Sequence, residues 1–261
     1  MECKNCQTQL SETAKFCFNC GAKYIGYRLN FKTITEELFT TFISWDNKFF
    51  KTFSHLITKP QEVANSYLEG VRKRYMRPFS YMIIALTFYG IYMYFAKDIL
   101  MELVSTLDAN TPVNPNPKIQ KFQDNFNDKW FTFITKYYNI FTFLSIPLLA
   151  FINKIIFKKR NLVEHSVTLL YAYATYLIMT SFLGFIFLIF QVDFQFYLSI
   201  NYFLMIGYHM YFYKKTFQLS LGKTLLKTLL FWLLIFAFYL VIVILGIIAV
   251  FVLVKFKIIT F

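Results

Sequence analysis

The sequence predicts an all-α polytopic membrane protein with a small cysteine-bound module at its N-terminus. Hydrophobic residues make up 57% of the 261 and charged residues 16%, whereas a soluble domain carries roughly 25% charge. Long apolar runs without charge recur after residue 77, and all four cysteines fall within the first twenty residues. These features divide the chain into a ribbon over 1–25, an amphipathic cytoplasmic segment over 26–77 and a transmembrane domain over 78–261. The aromatic share of 21%, led by 34 Phe and 19 Tyr, fits the codon bias of an AT-rich genome better than an aromatic binding role.

A helix crosses a bilayer core of about 30 Å with roughly 17–25 mostly apolar residues. Five segments are read as spans: 78–96, 137–157, 167–190, 196–213 and 225–254. The first has no internal charge. The second carries Pro147 and, near one end, Asn153 and Lys154. The fourth is the shortest and holds Asn201 and His209. At about 1.5 Å per residue the fifth exceeds the core, so Lys227 is expected to snorkel into the interface and the helix to tilt.

The net charge of +13 sits mostly beside these runs. Arg72, Lys73, Arg74 and Arg77 precede the first span. Lys158, Lys159 and Arg160 follow the second, and Lys214, Lys215 and Lys223 follow the fourth. On the opposite side, the outer loop 97–136 balances Lys97, Lys118, Lys121, Lys129 and Lys136 against Asp98, Glu102, Asp108, Asp124 and Asp128, and 191–195 carries Asp193 without Lys or Arg. The positive-inside rule then gives five transmembrane helices with the N-terminus in the cytoplasm and the C-terminus outside. The first residues are polar and lack an apolar h-region, so the first span is the expected insertion signal. Within the outer loop, Thr111 to Pro117 is a proline-rich turn region.

The cysteines read Cys3-x-x-Cys6, ten residues, then Cys17-x-x-Cys20-Gly21. Each Cys-x-x-Cys forms a knuckle offering two thiolates from one side, and two knuckles complete a tetrahedral Zn2+ shell. Gly21 suits the positive φ that a knuckle needs. A reducing cytoplasm disfavours disulfides, and the segment is too short for a thioredoxin-like redox domain. Four thiolates close the shell, so one structural Zn2+ per chain is expected, supplying most of the folding energy of so small a module.

Between the ribbon and the first span, Phe31, Ile34, Leu38 and Phe42 share one helical face. Ser44 can cap a second helix with the stripe Trp45, Phe49, Phe53 and Leu56. Thr58-Lys59-Pro60-Gln61 reads as the start of a third, running to about Val71. These helices are too small for a soluble core, so they are expected to lie on the membrane surface or to pack under the spans.

Glu164 and His165 open the third span at its cytoplasmic end, and His209 lies about one turn from the same end of the fourth. Ionisable groups there are functional candidates, suited to a head group, a proton or a metal. The plainer expectation is a set of interfacial groups that satisfy one another or pair with Arg72 to Arg77. Asn139, Asn153, Gln191 and Asn201 are expected to bond between helices.

The order of these motifs carries a resemblance. The ribbon is followed by Ile57-Thr58-Lys59-Pro60, then by Tyr67-Leu68-Glu69-Gly70-Val71-Arg72-Lys73-Arg74-Tyr75 with Pro78, then by Asn161-Leu162-Val163-Glu164-His165. Together they resemble a family of zinc-ribbon membrane proteins from Bacteroidota catalogued as a domain of unknown function. The resemblance implies residence in the bacterial inner membrane and implies no reaction.

Three classes of function are then weighed. A scaffold, assembly or regulatory factor, docking a cytoplasmic or membrane protein partner through the ribbon, explains the closed metal shell and is preferred. A transporter or channel for a small solute or lipid would want polar groups near the bilayer midplane, where the spans offer few. A membrane enzyme using Glu164, His165 and His209 would want more converging acid–base groups. The ribbon's few basic residues, Lys4, Lys15 and Lys23, disfavour nucleic acid, which leaves the lipid bilayer and a protein as the expected partners.

Overall fold

The computed structural model describes residues 1–3, 5–11, 13–22, 48–109 and 117–255. Two compact units divide the chain, Met1–Asn47 and Lys48–Phe261. In the first, the chain folds around its cysteines, and Glu2 and Gln9 form an antiparallel bridge. The expected stripe of Phe31, Ile34, Leu38 and Phe42, the Ser44 cap with Trp45, the 111–116 part of the proline-rich turn and the C-terminal end lie outside the described residues.

The second unit is all helix: α1 (48–58), α2 (Pro60–Leu68), α3 (Pro78–Ala109), α4 (Pro117–Phe157), α5 (Leu162–Ile189), α6 (Phe194–Phe217) and α7 (Leu221–Lys255). Proline opens α2, α3 and α4, at the position where its fixed φ helps and its missing N–H is not needed. Lys59, not Thr58, is the residue that flanks α2, and it makes no side-chain cap. The Thr58 hydroxyl donates instead to Ser54 O, 2.9 Å away on α1. Helix α2 ends at Leu68, three residues before the expected Val71, because Gly70 takes φ +93° and turns the chain.

Among the described residues, four helices are long and apolar enough to cross a membrane: Pro78–Glu102, Thr135–Phe157, Leu162–Ile189 and Leu221–Gly246. They mark a membrane protein. The expected fourth span, in α6, is 24 residues long and so spans about 36 Å. It is not among the four because Gln195, Asn201, His209, Lys214 and Lys215 dilute its apolar surface. Helices α3 and α4 run well past their apolar parts, so much of the expected outer loop is helical. Polar residues free of Gly and Pro continue a helix once a span has nucleated it.

Helix α5 is the hub, packing against α2, α3, α4 and α6. Its apolar residues are spread around the helix, with Leu170, Tyr171, Ala174, Leu177 and Ile178 buried among its neighbours and Phe182 and Ile186 exposed. Gly184 admits the Tyr92 ring of α3 where any Cβ would collide with it. Of the expected interhelical bonds, Asn153 Nδ2 donates to Tyr213 OH at 2.5 Å. Asn201 Oδ1 accepts from Tyr176 OH at 3.0 Å and from Thr180 Oγ1 at 2.8 Å. Gln191 instead sits in the turn after α5 with φ 50°.

Of the two expected placements for the amphipathic helices, α1 and α2 pack against the spans. Leu56, Val63 and Ala64 are fully buried in one cluster with Tyr81, Tyr171 and Phe212. Tyr208 OH donates to Leu56 O at 3.2 Å, and Tyr171 OH to Met76 O at 2.7 Å. Helix α7 is the opposite case. Of its described residues only Thr224, Thr228 and Phe231 are buried. Lys227 Nζ donates to Ile156 O at 2.7 Å and sits over the Phe157 ring, a cation placed at the C-terminus of α4.

Candidate metal centre and buried polar side chains

The ribbon is built from two matching knuckles. In one, Gln7 N donates to Cys3 O at 2.8 Å and Cys3 N to Thr8 O at 3.0 Å. In the other, Gly21 N donates to Cys17 O at 2.9 Å and Cys17 N to Ala22 O at 2.8 Å. The residue after the second cysteine of each knuckle is left-handed, Gln7 at φ 61° and Gly21 at φ +71°. Gly21 has the conformation the sequence suggests; Gln7 takes it without glycine's freedom.

All four Sγ atoms lie within 4.8 Å of one another. Cys3 and Cys20 are 3.6 Å apart at sulfur, as are Cys6 and Cys17. A disulfide would need about 2.05 Å, and all four cysteines are free. A tetrahedron with metal–sulfur bonds of about 2.3 Å has edges of about 3.8 Å, so the four thiols fit one metal ion. The Thr8 hydroxyl lies 3.2 Å from Cys6 Sγ, and Asn19 Nδ2 donates to that hydroxyl at 3.1 Å. The hydrogen bonds from the Thr8 hydroxyl and backbone hold the Cys6 thiol down at about 6, while burial and the neighbouring Cys6 and Cys20 thiols push Cys17 up to about 11. Among the described residues the cysteines are the one group of three or more His, Cys, Asp or Glu side chains arranged to hold a metal.

Glu164, His165 and His209 each have a different neighbourhood. Glu164 closes a capping box at the start of α5: its Oε2 accepts from Asn161 N at 2.8 Å, and Asn161 Oδ1 accepts from Glu164 N at 2.9 Å. His165 is fully buried, stacked on Phe217 with ring centres 5.9 Å apart and near Phe157 at 6.4 Å. Neither of its ring nitrogens has a partner. His209 packs against Tyr213 at 4.4 Å and Phe231 at 4.5 Å, with Trp232 at 5.9 Å. Its Nε2 and the Trp232 Nε1 are buried without a partner.

Two polar arrangements escape a reading of sequence. Arg160, expected only as a flanking charge, reaches inward. Its NH1 donates to Thr168 Oγ1 and its NH2 to Asn65 Oδ1, both at 2.6 Å, tying α2 to α5. Its guanidinium also lies over the Phe217 ring, and burial lowers its pKa. The second joins α1, α2 and the basic loop. His55 Nδ1 is 2.8 Å from Tyr75 OH and 3.8 Å from a Glu62 carboxylate oxygen. Glu62 pairs with Arg74, whose guanidinium covers the Tyr75 ring. Burial pushes the Tyr75 phenol up. Only the Arg-Tyr step of the loop hinted at this, because His55 and Glu62 stand on different helices.

Structure and site together define a membrane protein with a cysteine-cluster ribbon. Comparison with known families bears on the ribbon and on the segment that follows it. A family model described as a protein of unknown function (DUF3667) matches residues 46–90. That stretch contains α2, the basic loop and the whole His55, Glu62, Arg74 and Tyr75 cluster. A zinc-ribbon domain model matches residues 3–23, which take in all four cysteines. No curated protein and no solved structure matches the chain.

Proposed function

We propose that the protein is a five-span component of a bacterial inner membrane, of Bacteroidota origin, whose N-terminal zinc ribbon docks a protein partner on the cytoplasmic side. In this reading Zn2+ fills the four-thiolate site and is structural, α6 is the fourth of five crossings, and the basic flanks hold the N-terminus inside. The observation that carries the docking role is on the ribbon itself. Phe16 is 61% exposed and Phe18 80% exposed, one on each side of Cys17. A metal-closed knuckle is a rigid mount, and aromatic side chains held out from a rigid mount are the commonest anchors of protein interfaces. The polar cap of Glu164 and the ring-packed histidines favour this reading over an enzyme built on those residues.

The test compares wild type with the double variant Phe16→Ser, Phe18→Ser, both purified in mild detergent after crosslinking in cells. A protein crosslinked to the ribbon in wild type should be lost from the variant, while Zn2+ content and membrane insertion stay unchanged. Identical crosslinks in both would overturn the docking role.

A further inference from the structure

We propose that the cavity bounded by α4, α5, α6 and α7 binds a flat, lipid-soluble ring bearing a carbonyl oxygen, a molecule of the quinone class. The cavity has a volume of about 240 Å3. A sealed apolar cavity of about 150 Å3 accepts benzene, so this one suits a fused two-ring system. Its walls include Tyr173, Tyr176, Tyr208, His209, Phe231 and Trp232. Walls so rich in π faces favour a flat ring, through offset and edge contacts, over a flexible hydrocarbon chain, which aliphatic walls would hold as well.

The depth and the polar groups point the same way. Tyr173 and Tyr176 lie near the middle of the apolar helix Leu162–Ile189, and Trp232 lies within Leu221–Gly246. A ligand therefore arrives through the hydrocarbon and must be lipid-soluble. Helix α7 supplies Phe231 and Trp232 while burying only three of its described residues, so it can give way at entry. Two cavity-lining rings carry nitrogens without partners, His209 Nε2 and Trp232 Nε1. The indole nitrogen can only donate, and the imidazole can donate from one nitrogen. Both nitrogens are covered in the structure, so the contact requires a ring to turn about its Cβ–Cγ bond. A carbonyl oxygen then accepts from one or both, while the rest of the ring stays among the aromatic side chains.

The chain has three tryptophans, Trp45, Trp130 and Trp232. Replacing Trp45 and Trp130 by Phe leaves Trp232 as the reporter, and the probes are 2-methyl-1,4-naphthoquinone, 2-methylnaphthalene and decanoate. In purified protein the naphthoquinone should quench Trp232 fluorescence saturably. Ala172→Leu, which fills the cavity from α5, should weaken that binding about tenfold or more. His209→Phe should weaken the naphthoquinone several-fold and leave 2-methylnaphthalene unchanged. Ile235→Phe fills the cavity from α7 and supplies the same comparison if Ala172→Leu does not melt like the parent protein. Quenching that never saturates, or is unchanged when the cavity is filled, overturns the site. Displacement of the naphthoquinone by decanoate at equal concentration overturns the ring preference. Equal binding of the two ring probes overturns the carbonyl contact.

Discussion

At the scale of single residues, the metal centre depends on more than its four sulfurs. Purified protein should carry about one Zn2+ per chain by elemental analysis, and Cys17→Ser should lose it while the helices still insert. Thr8 is the first neighbour of Cys6, and removing such a partner typically weakens metal affinity about tenfold or more. Thr8→Val should therefore release its metal to a chelator at correspondingly lower chelator concentration. The cysteines were legible because Cys-x-x-Cys spacing alone fixes which thiols meet. Thr8 and Asn19 were not, since only the folded knuckles bring them together across eleven residues. The histidines reverse a natural expectation. Cutting into a cluster of mutually satisfied groups would destabilise the fold, yet His165 is fully buried with both nitrogens unpartnered. Replacing an unsatisfied polar ring by an apolar one of similar shape is neutral or stabilising. His165→Phe should thus melt at or above the wild-type temperature. Glu164→Ala, which removes half of a capping box, should lose roughly 0.5–1 kcal/mol.

At the scale of helices, the apolar stripe of Phe49, Phe53 and Leu56 was readable because a 3.6-residue period survives any tertiary context. Where that stripe points was not, because the same stripe serves a membrane surface or a protein core. Tyr208 and Tyr211 decide it, each donating from α6 to a carbonyl of α1. Arg160 makes the matching link from the other side. Arg160→Met would leave Asn65 and Thr168 without their donor, at about 1–3 kcal/mol. Amide hydrogen exchange should then quicken in Pro60–Leu68 before it quickens in α5; equal exchange in wild type and variant would dismiss the tether. Helices α3 and α5 meet through a different device. With Tyr92 filling the space over Gly184, Gly184→Ala must displace a buried ring, and overpacking of this kind costs roughly 1–3 kcal/mol. A lowered melting temperature in Gly184→Ala, with Gly207→Ala unchanged, is the expected pair of results, since Gly207 has nothing within 4 Å of an added Cβ.

At the scale of the whole molecule, the open count is whether α6 crosses. Reporters active only outside the cytoplasm should light at Pro115 and Phe261 and stay dark at Met1, Lys159 and Lys215. A dark reporter at Phe261 would give an even number of crossings and remove α6 from the count. The four strongly apolar helices were legible because membrane insertion reads hydropathy directly. Helix α6 was less so because it carries several polar groups, of which Asn201 is satisfied by Tyr176 and Thr180, a compensation that composition does not record. The sparse attachment of α7 has one more effect. Its apolar stretch Leu221–Gly246 is 26 residues, about 39 Å long, against a hydrocarbon core of about 30 Å. A helix gripped by its neighbours would impose its angle on the bilayer. This one is held along a narrow stripe that includes Thr224, Lys227, Thr228 and Phe231, so the acyl-chain length of the surrounding lipid should set its lean. The walls it contributes at Phe231 and Trp232 should then shift as thin and thick membranes are exchanged, a change that Trp232 fluorescence would read.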